Sequence, residues 1–217
     1  GLYEIARDLA LSITKQFPEH QLGWKVLGVV YGHTGQLNEA LLANLSSIRL
    51  NPKDAEAHSN MGITLKALGR LEQAVVSYGH AILIKPDYAE AYCNLGVSLN
   101  DLGRLEQAEK SYKQAIAIKS DFAEAHNNLG IALNGLDKLE AAELSYKRAV
   151  AIKPDFAEAH NNLGITLNGL DKSGAAEASY RQALSIKPSF PEAHYNLGNT
   201  LKQRGSLEGA KASYKQA

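Results

Sequence analysis

Residues 123–137 read AEAHNNLGIALNGLD, and residues 157–171 read AEAHNNLGITLNGLD. The two stretches differ at a single position and lie 34 residues apart. Extended over the whole period, units 123–156 and 157–190 agree at 25 of 34 positions. The pair Leu-Gly carries the period outward, at Leu27-Gly28, Leu95-Gly96, Leu129-Gly130, Leu163-Gly164 and Leu197-Gly198, with Met61-Gly62 in the remaining place. Self-similarity at a fixed spacing of this size marks a repeat array, in which each unit buries its apolar face against its neighbours. A register starting at Gln21 gives full units at 21–54, 55–88, 89–122, 123–156 and 157–190, then a partial unit at 191–217. Residues 1–20 match the second half of a unit, so the chain reads as a fragment cut at both ends.

Within each unit the apolar and small residues fall at helical spacing on both sides of a breaker, which predicts two amphipathic helices and an all-α fold. Asp87, Asp121 and Asp155 stand three residues before Glu90, Glu124 and Glu158, as Ser189 stands before Glu192. That spacing predicts a capping box at the start of each first helix. Gly35, Gly69, Gly103 and Gly205 predict left-handed turns at its end. Asp137 and Asp171 occupy the same place in two units, where a Cβ brings strain. The second helix carries a leucine near its start, a small residue at Ala40, Ala74, Ala108, Ala142 and Ala210, and an aromatic ring at Tyr78, Tyr112, Tyr146, Tyr180 and Tyr214. It stops before Pro52, Pro86, Pro154 and Pro188, because proline cannot continue a helix. Ser173-Gly174 replaces the Leu-Glu that opens the other second helices, which predicts fraying there first.

The pattern resembles the tetratricopeptide repeat family. Its signature positions occur as Trp24, Leu27, Gly28, Tyr31, Ala40 and Pro52 in the first full unit, and as Tyr92, Leu95, Gly96, Leu99, Ala108, Tyr112 and Ala115 in the third. Departures are Asn44 and Ser47, in place of an aromatic and an alanine, and Ser120 in place of a proline. The resemblance covers the whole chain. It implies a right-handed superhelical solenoid of helix-turn-helix units whose first helices line a concave groove. It also implies a non-catalytic protein-protein interaction scaffold that binds an extended peptide or partner segment there.

The sixth position of the unit is asparagine at Asn60, Asn94, Asn128, Asn162 and Asn196, with Val26 in the first unit. An asparagine amide offers both donors and an acceptor, so it can pair with a peptide group without reading side chains. The column is similar to the asparagine ladder in the repeat arm of O-linked N-acetylglucosamine transferase; the other reading is a bridge between neighbouring helices. Asn127 and Asn161 extend this polar wall as candidate peptide contacts. Glu56, Glu90, Glu124, Glu158 and Glu192 form a second column, read either as helix caps or as a preference for basic or neutral peptides. The lysine-arginine clamp by which cochaperone members of the family hold a C-terminal carboxylate is not encoded, since Val29, Glu90 and Asn94 fill its places.

Composition narrows the rest. With 23 basic and 23 acidic residues and a pI near 7.2, the chain lacks the basic field that nucleic acid binding requires. No apolar run is long enough to span a membrane. Cys93 is alone and no secretory segment opens the chain, which points to a reducing, cytoplasmic compartment. His58, His126, His160 and His194 share one position of the repeat and are at least one repeat apart, about 10 Å in a helix stack, too far for ligands of one metal ion. They read as packing residues, and no cofactor is expected. No catalytic motif is present, so the chain is not read as an enzyme. Two alternatives remain. Near-identical repeats of this kind resemble bacterial arrays joined to glycosyltransferase or sulfotransferase domains, which would make the chain a substrate-selecting arm. Uncapped terminal repeats could also stack copies into a homo-oligomer or a structural array.

Overall fold

A computed structural model describes all of residues 1–217. It contains thirteen α-helices and no strand: α1 (Leu2–Gln16), α2 (Gln21–His33), α3 (Leu37–Leu50), α4 (Ala55–Ala67), α5 (Leu71–Ile84), α6 (Ala89–Asp101), α7 (Leu105–Ile118), α8 (Ala123–Gly135), α9 (Leu139–Ile152), α10 (Ala157–Gly169), α11 (Ser173–Ile186), α12 (Pro191–Gln203) and α13 (Leu207–Tyr214). From α2 onward the helices pair as hairpins, α2 with α3 through α12 with α13, while α1 packs on α2 as a lone second helix. The chain forms two compact units, Gly1–Ile118 and Lys119–Ala217.

Within the first unit α2 touches α4 and α4 touches α6; within the second, α8 touches α10 and α10 touches α12. The second helices of successive repeats do not meet. Helices that approach each other across a whole repeat lie on the inside of a bend, so each unit turns its first helices inward.

The four hairpins from α4–α5 to α10–α11 are each locked by a contact between a glycine and a tyrosine. A Cβ placed on Gly62, Gly96, Gly130 or Gly164 would sit 2.6 Å from a ring carbon of Tyr78, Tyr112, Tyr146 or Tyr180. Those four rings are buried almost completely, and burial pushes the Tyr180 phenol up to about 12. Only glycine lets the first helix lie this close to the ring. Ala40, Ala74, Ala108, Ala142 and Ala176 close the same interface with no exposed surface at all.

The turns between paired helices form as the glycine spacing predicts. Gly35, Gly69, Gly103 and Gly205 have φ of +73 to +82°. Asp137 and Asp171 take the same left-handed conformation at φ 58° and 57°. Even so, the turn keeps its closing bond, Lys138 N–H to the Leu133 carbonyl at 2.9 Å and Lys172 N–H to Leu167 at 2.8 Å. At Ser173-Gly174 the helix still starts on schedule, with Lys172 before it and no side-chain cap.

The capping boxes predicted at Asp87, Asp121, Asp155 and Ser189 do not form. The first helices begin one residue later than that spacing requires, so the cap position falls to Tyr88, Phe122, Phe156 and Phe190, none of which caps with its side chain. Side-chain caps form instead where the spacing did not point: Asp54 accepts the Glu56 and Ala57 amides at 3.0 and 3.2 Å, and His20 Nδ1 accepts the Leu22 amide at 3.4 Å. Elsewhere two other devices hold the joint between repeats. A lysine ammonium lies 4.6 to 4.9 Å from the ring that follows it, in Lys85–Tyr88, Lys119–Phe122, Lys153–Phe156 and Lys187–Phe190. A ring nitrogen from the fourth position of the unit also reaches back to a carbonyl six residues earlier. Trp24 meets Pro18, His58 Pro52, His126 Ser120, His160 Pro154 and His194 Pro188, at 2.8 to 3.1 Å. A carbonyl can only accept, so each of these histidines carries its hydrogen on Nε2.

Candidate functional site

The inner wall of the first unit is made by α2, α4 and α6. Asn60 and Asn94 stand half-buried on it, and their side-chain amides have no partner within the chain. Beside them Val29 and Ile63 are 39% and 49% exposed, a high value for aliphatic side chains on a packed face. Lys25, one turn away, is held by Asp54 at 3.0 Å and by Glu56. Gln21 Nε2 donates to the same Asp54 carboxylate at 2.7 Å. Burial pushes the Asp54 carboxyl up, but the hydrogen bonds from Lys25, Gln21 and the Ala57 amide outweigh it and hold the group below its ordinary value.

The inner wall of the second unit, α8, α10 and α12, uses its asparagines differently. Asn162 Nδ2 donates to Asn127 Oδ1 at 3.1 Å, and Asn196 Nδ2 donates to Asn161 Oδ1 at the same distance. Asn127 also donates to Asn128 Oδ1 at 3.3 Å. Asn127 and Asn161 are each only 6% exposed. Their placement corrects the expectation of an extended open wall: residues one step before the column point toward the next repeat and tie the two repeats together. Each of Asn162 and Asn196 has spent one N–H in this way and keeps its second N–H and its oxygen.

The acidic column is largely neutralised. Lys153 pairs with Glu124 at 3.3 Å and Lys187 with Glu158 at 3.4 Å, each within one repeat, and Glu56 pairs with Lys25. A polar contact between repeats that sequence reading missed joins Asn134 to Thr166 at 2.9 Å and Asn168 to Thr200 at 2.7 Å. The Tyr146 and Tyr180 hydroxyls close these clusters at 3.5 and 3.3 Å. Its signal was a second pair of columns, asparagine at the twelfth position and threonine at the tenth position of the following unit. Asn44, which with Leu45 and Ser46 matches the Asn-X-Ser glycosylation sequon, is 1% exposed and cannot be reached by a modifying enzyme. No helix is long and apolar enough to cross a membrane.

The family profile described as TPR repeat matches residues 64–100, 98–137, 135–170 and 174–205, and a second, described as tetratricopeptide repeat, matches 44–76. The chain belongs to the tetratricopeptide repeat family. No curated protein matches this tetratricopeptide repeat chain. Among solved structures it is similar to MamA, with 26% identity over 72% of this chain and 91% of that one, at a TM-score of 0.68. The Cut9–Hcn1 tetramer of APC/C matches 99% of this tetratricopeptide repeat chain and 42% of that one at TM-score 0.82; its 17% identity speaks to the fold alone. YrrB, described as a TPR protein with an unusual peptide-binding site, matches 85% of this chain and 95% of its own, at 18% identity and TM-score 0.68.

Proposed function

We propose that this protein is a scaffold that holds an extended peptide, or an extended segment of a protein partner, against the inner face of its first helices. The observation that carries the reading is the pair of half-buried amides at Asn60 and Asn94, unpartnered within the chain and set among exposed aliphatic side chains. An extended peptide offers one N–H and one C=O per residue, and an asparagine amide can pair with both. Such pairing holds backbone and leaves side-chain choice to neighbouring surfaces. In the second unit Asn162 and Asn196, oriented by Asn127 and Asn161, offer the peptide their remaining N–H and oxygen, and Asn128 continues the column. The presence of a peptide-binding protein among the structural neighbours supports the reading.

The test is a panel of immobilised unstructured peptides probed with the native chain and with an Asn60→Ala, Asn94→Ala double variant. Neither substitution removes a side-chain hydrogen bond from the chain, so the variant keeps its helical spectrum. Loss of two amide contacts is expected to weaken binding about tenfold or more. Equal affinity of the two proteins would remove the asparagines from the mechanism.

A further inference from the structure

The first full repeat lacks two side chains that later repeats use to fill their interface with the next one. Around the Tyr146 hydroxyl lie Asn134 and, in the next repeat, Thr166; around Tyr180 lie Asn168 and Thr200. The equivalent places in the first repeat are Asn44 for the tyrosine, Gly32 for the asparagine and Thr64 for the threonine. Asn44 is too short to replace a phenol. Its amide packs directly against Gly28, where an added Cβ would lie 2.1 Å from Asn44 Oδ1. It donates to Thr64 Oγ1 at 2.9 Å and to the Asn60 carbonyl at 3.3 Å, leaving its own oxygen without a partner.

The space left over is a cavity of about 160 Å³ in the first unit, whose walls include Gly28, Val29, Gly32, Asn60, Ile63 and Thr64. No carboxylate, lysine or arginine lines it. Gly32 is the last but one residue of α2, and a Cβ there would meet nothing within 4 Å. Packing therefore does not demand this glycine, and its effect is to keep the space open. The cavity also borders Asn60, one of the two unpartnered amides on the inner wall.

We infer that this cavity is a specificity subsite that seats one aliphatic side chain, of leucine size, from the bound peptide. The inference rests on the peptide-binding reading above and names what that reading leaves open, the residue the scaffold selects. Asn60 holds the peptide group at the rim while the side chain enters between Val29 and Ile63. A leucine fits the volume and matches a lining that is mostly aliphatic or small, with His33 its one ionisable side chain, and a cationic side chain would enter without a counter-ion. The later repeats carry a tyrosine at the place of Asn44, so the first full repeat alone reads a side chain in this way.

The experiment titrates the isotopically labelled chain with N-acetyl-leucine methylamide and with N-acetyl-glycine methylamide, following methyl and amide signals, and repeats both titrations on Gly32→Leu. That variant fills the cavity without a clash, so it keeps its helical spectrum and unfolds at the same or a higher temperature. The leucine compound is expected to shift Gly28, Gly32, Ile63 and Ala67 saturably, at least about fivefold more tightly than the glycine compound, and to lose this effect in Gly32→Leu. Equal response to both compounds, or leucine-specific shifts that survive Gly32→Leu, would overturn the subsite. Shifts at the same residues that follow protein concentration alone would also overturn it, by assigning the cavity to a second copy of the chain. The panel of the preceding subsection separates the two ideas. Panel binding that depends on Asn60 and Asn94 but ignores Gly32→Leu keeps the scaffold and removes the subsite. A leucine-specific response with no panel binding keeps the cavity and removes the asparagine groove.

Discussion

At Gly130 a methyl group has no room, because it would press on the buried Tyr146 ring. Gly130→Ala is expected to cost about 1 to 3 kcal/mol, the usual penalty for overpacking. At Gly79, in the interior of α5, an added Cβ meets nothing. Gly79→Ala should raise stability by about 0.5 to 1 kcal/mol, through helix propensity alone. Urea unfolding of both variants checks the contrast. The two left-handed aspartates provide the converse case: Asp137→Gly and Asp171→Gly relieve a strained φ and should each add about 0.5 kcal/mol. These positions were legible in the sequence because a period of 34 lines up every turn glycine and exposes each substitution. The fourth-position histidines were legible as packing residues, but their bond to a carbonyl six residues back was not. That bond depends on how the chain folds over at the joint between repeats, which no periodicity encodes.

At the level of the helix, a cap forms at Asp54 and not at the four segments whose spacing suggested one. Asp54→Ala removes two amide contacts and the Lys25 ion pair, and should cost about 1 to 2 kcal/mol. Asp121→Ala and Asp155→Ala should change stability by less than about 0.5 kcal/mol, since neither residue occupies the cap position. Sequence reading misplaced these caps by one residue because the turn from lysine to aromatic closes through a backbone bond, Phe156 N–H to the Lys153 carbonyl at 3.1 Å, before the helix begins. A pH dependence belongs to the same scale. Hydrogen bonds from Lys147 at 2.7 Å and Lys172 at 2.6 Å hold the Glu143 carboxyl below its ordinary value, as their counterparts do for Asp54. A carboxyl with a lowered folded pKa adds stability that is complete above its unfolded value and lost as the pH falls through the folded one. The ordinary values are 3.8 for Asp54 and 4.5 for Glu143. Stability should therefore decline on acidification below about pH 4.5. Asp54→Asn with Glu143→Gln should begin lower at neutral pH and decline less, in urea titrations run at successive pH values.

At the scale of the whole molecule, the repeats within each unit are joined by contacts with their immediate neighbours, so stability adds along the array rather than residing in one core. Deleting 123–156 joins Phe122 to Ala157, a junction equivalent to Phe156–Ala157, and should leave a helical protein. Its urea m-value should fall roughly in proportion to the length removed. Circular dichroism with urea unfolding measures both. The all-helical repeat architecture was fully legible in one sequence, as was the asparagine column, since both follow from the period. Which amides stay free was not, because Asn127 and Asn161 engage the following repeat through an offset that only stacking sets. The cavity beside Gly32 was half legible: Asn44 stood out as a departure, but the companion loss at Gly32 acquires meaning only once Tyr146 and Asn134 are seen to touch.

The contact between glycine and tyrosine lies inside one repeat, from Gly130 to Tyr146, whereas the asparagine and threonine bonds cross from one repeat to the next. A gene built this way can lengthen or shorten by unequal recombination between its own copies, and each product inherits intact hairpins wherever the crossover falls within the period. The second and later repeats are interchangeable in such an exchange. The first, with Asn44 and Gly32, is not: duplicating it would copy the hollow as well, and losing it would erase the repeat that lacks the tyrosine.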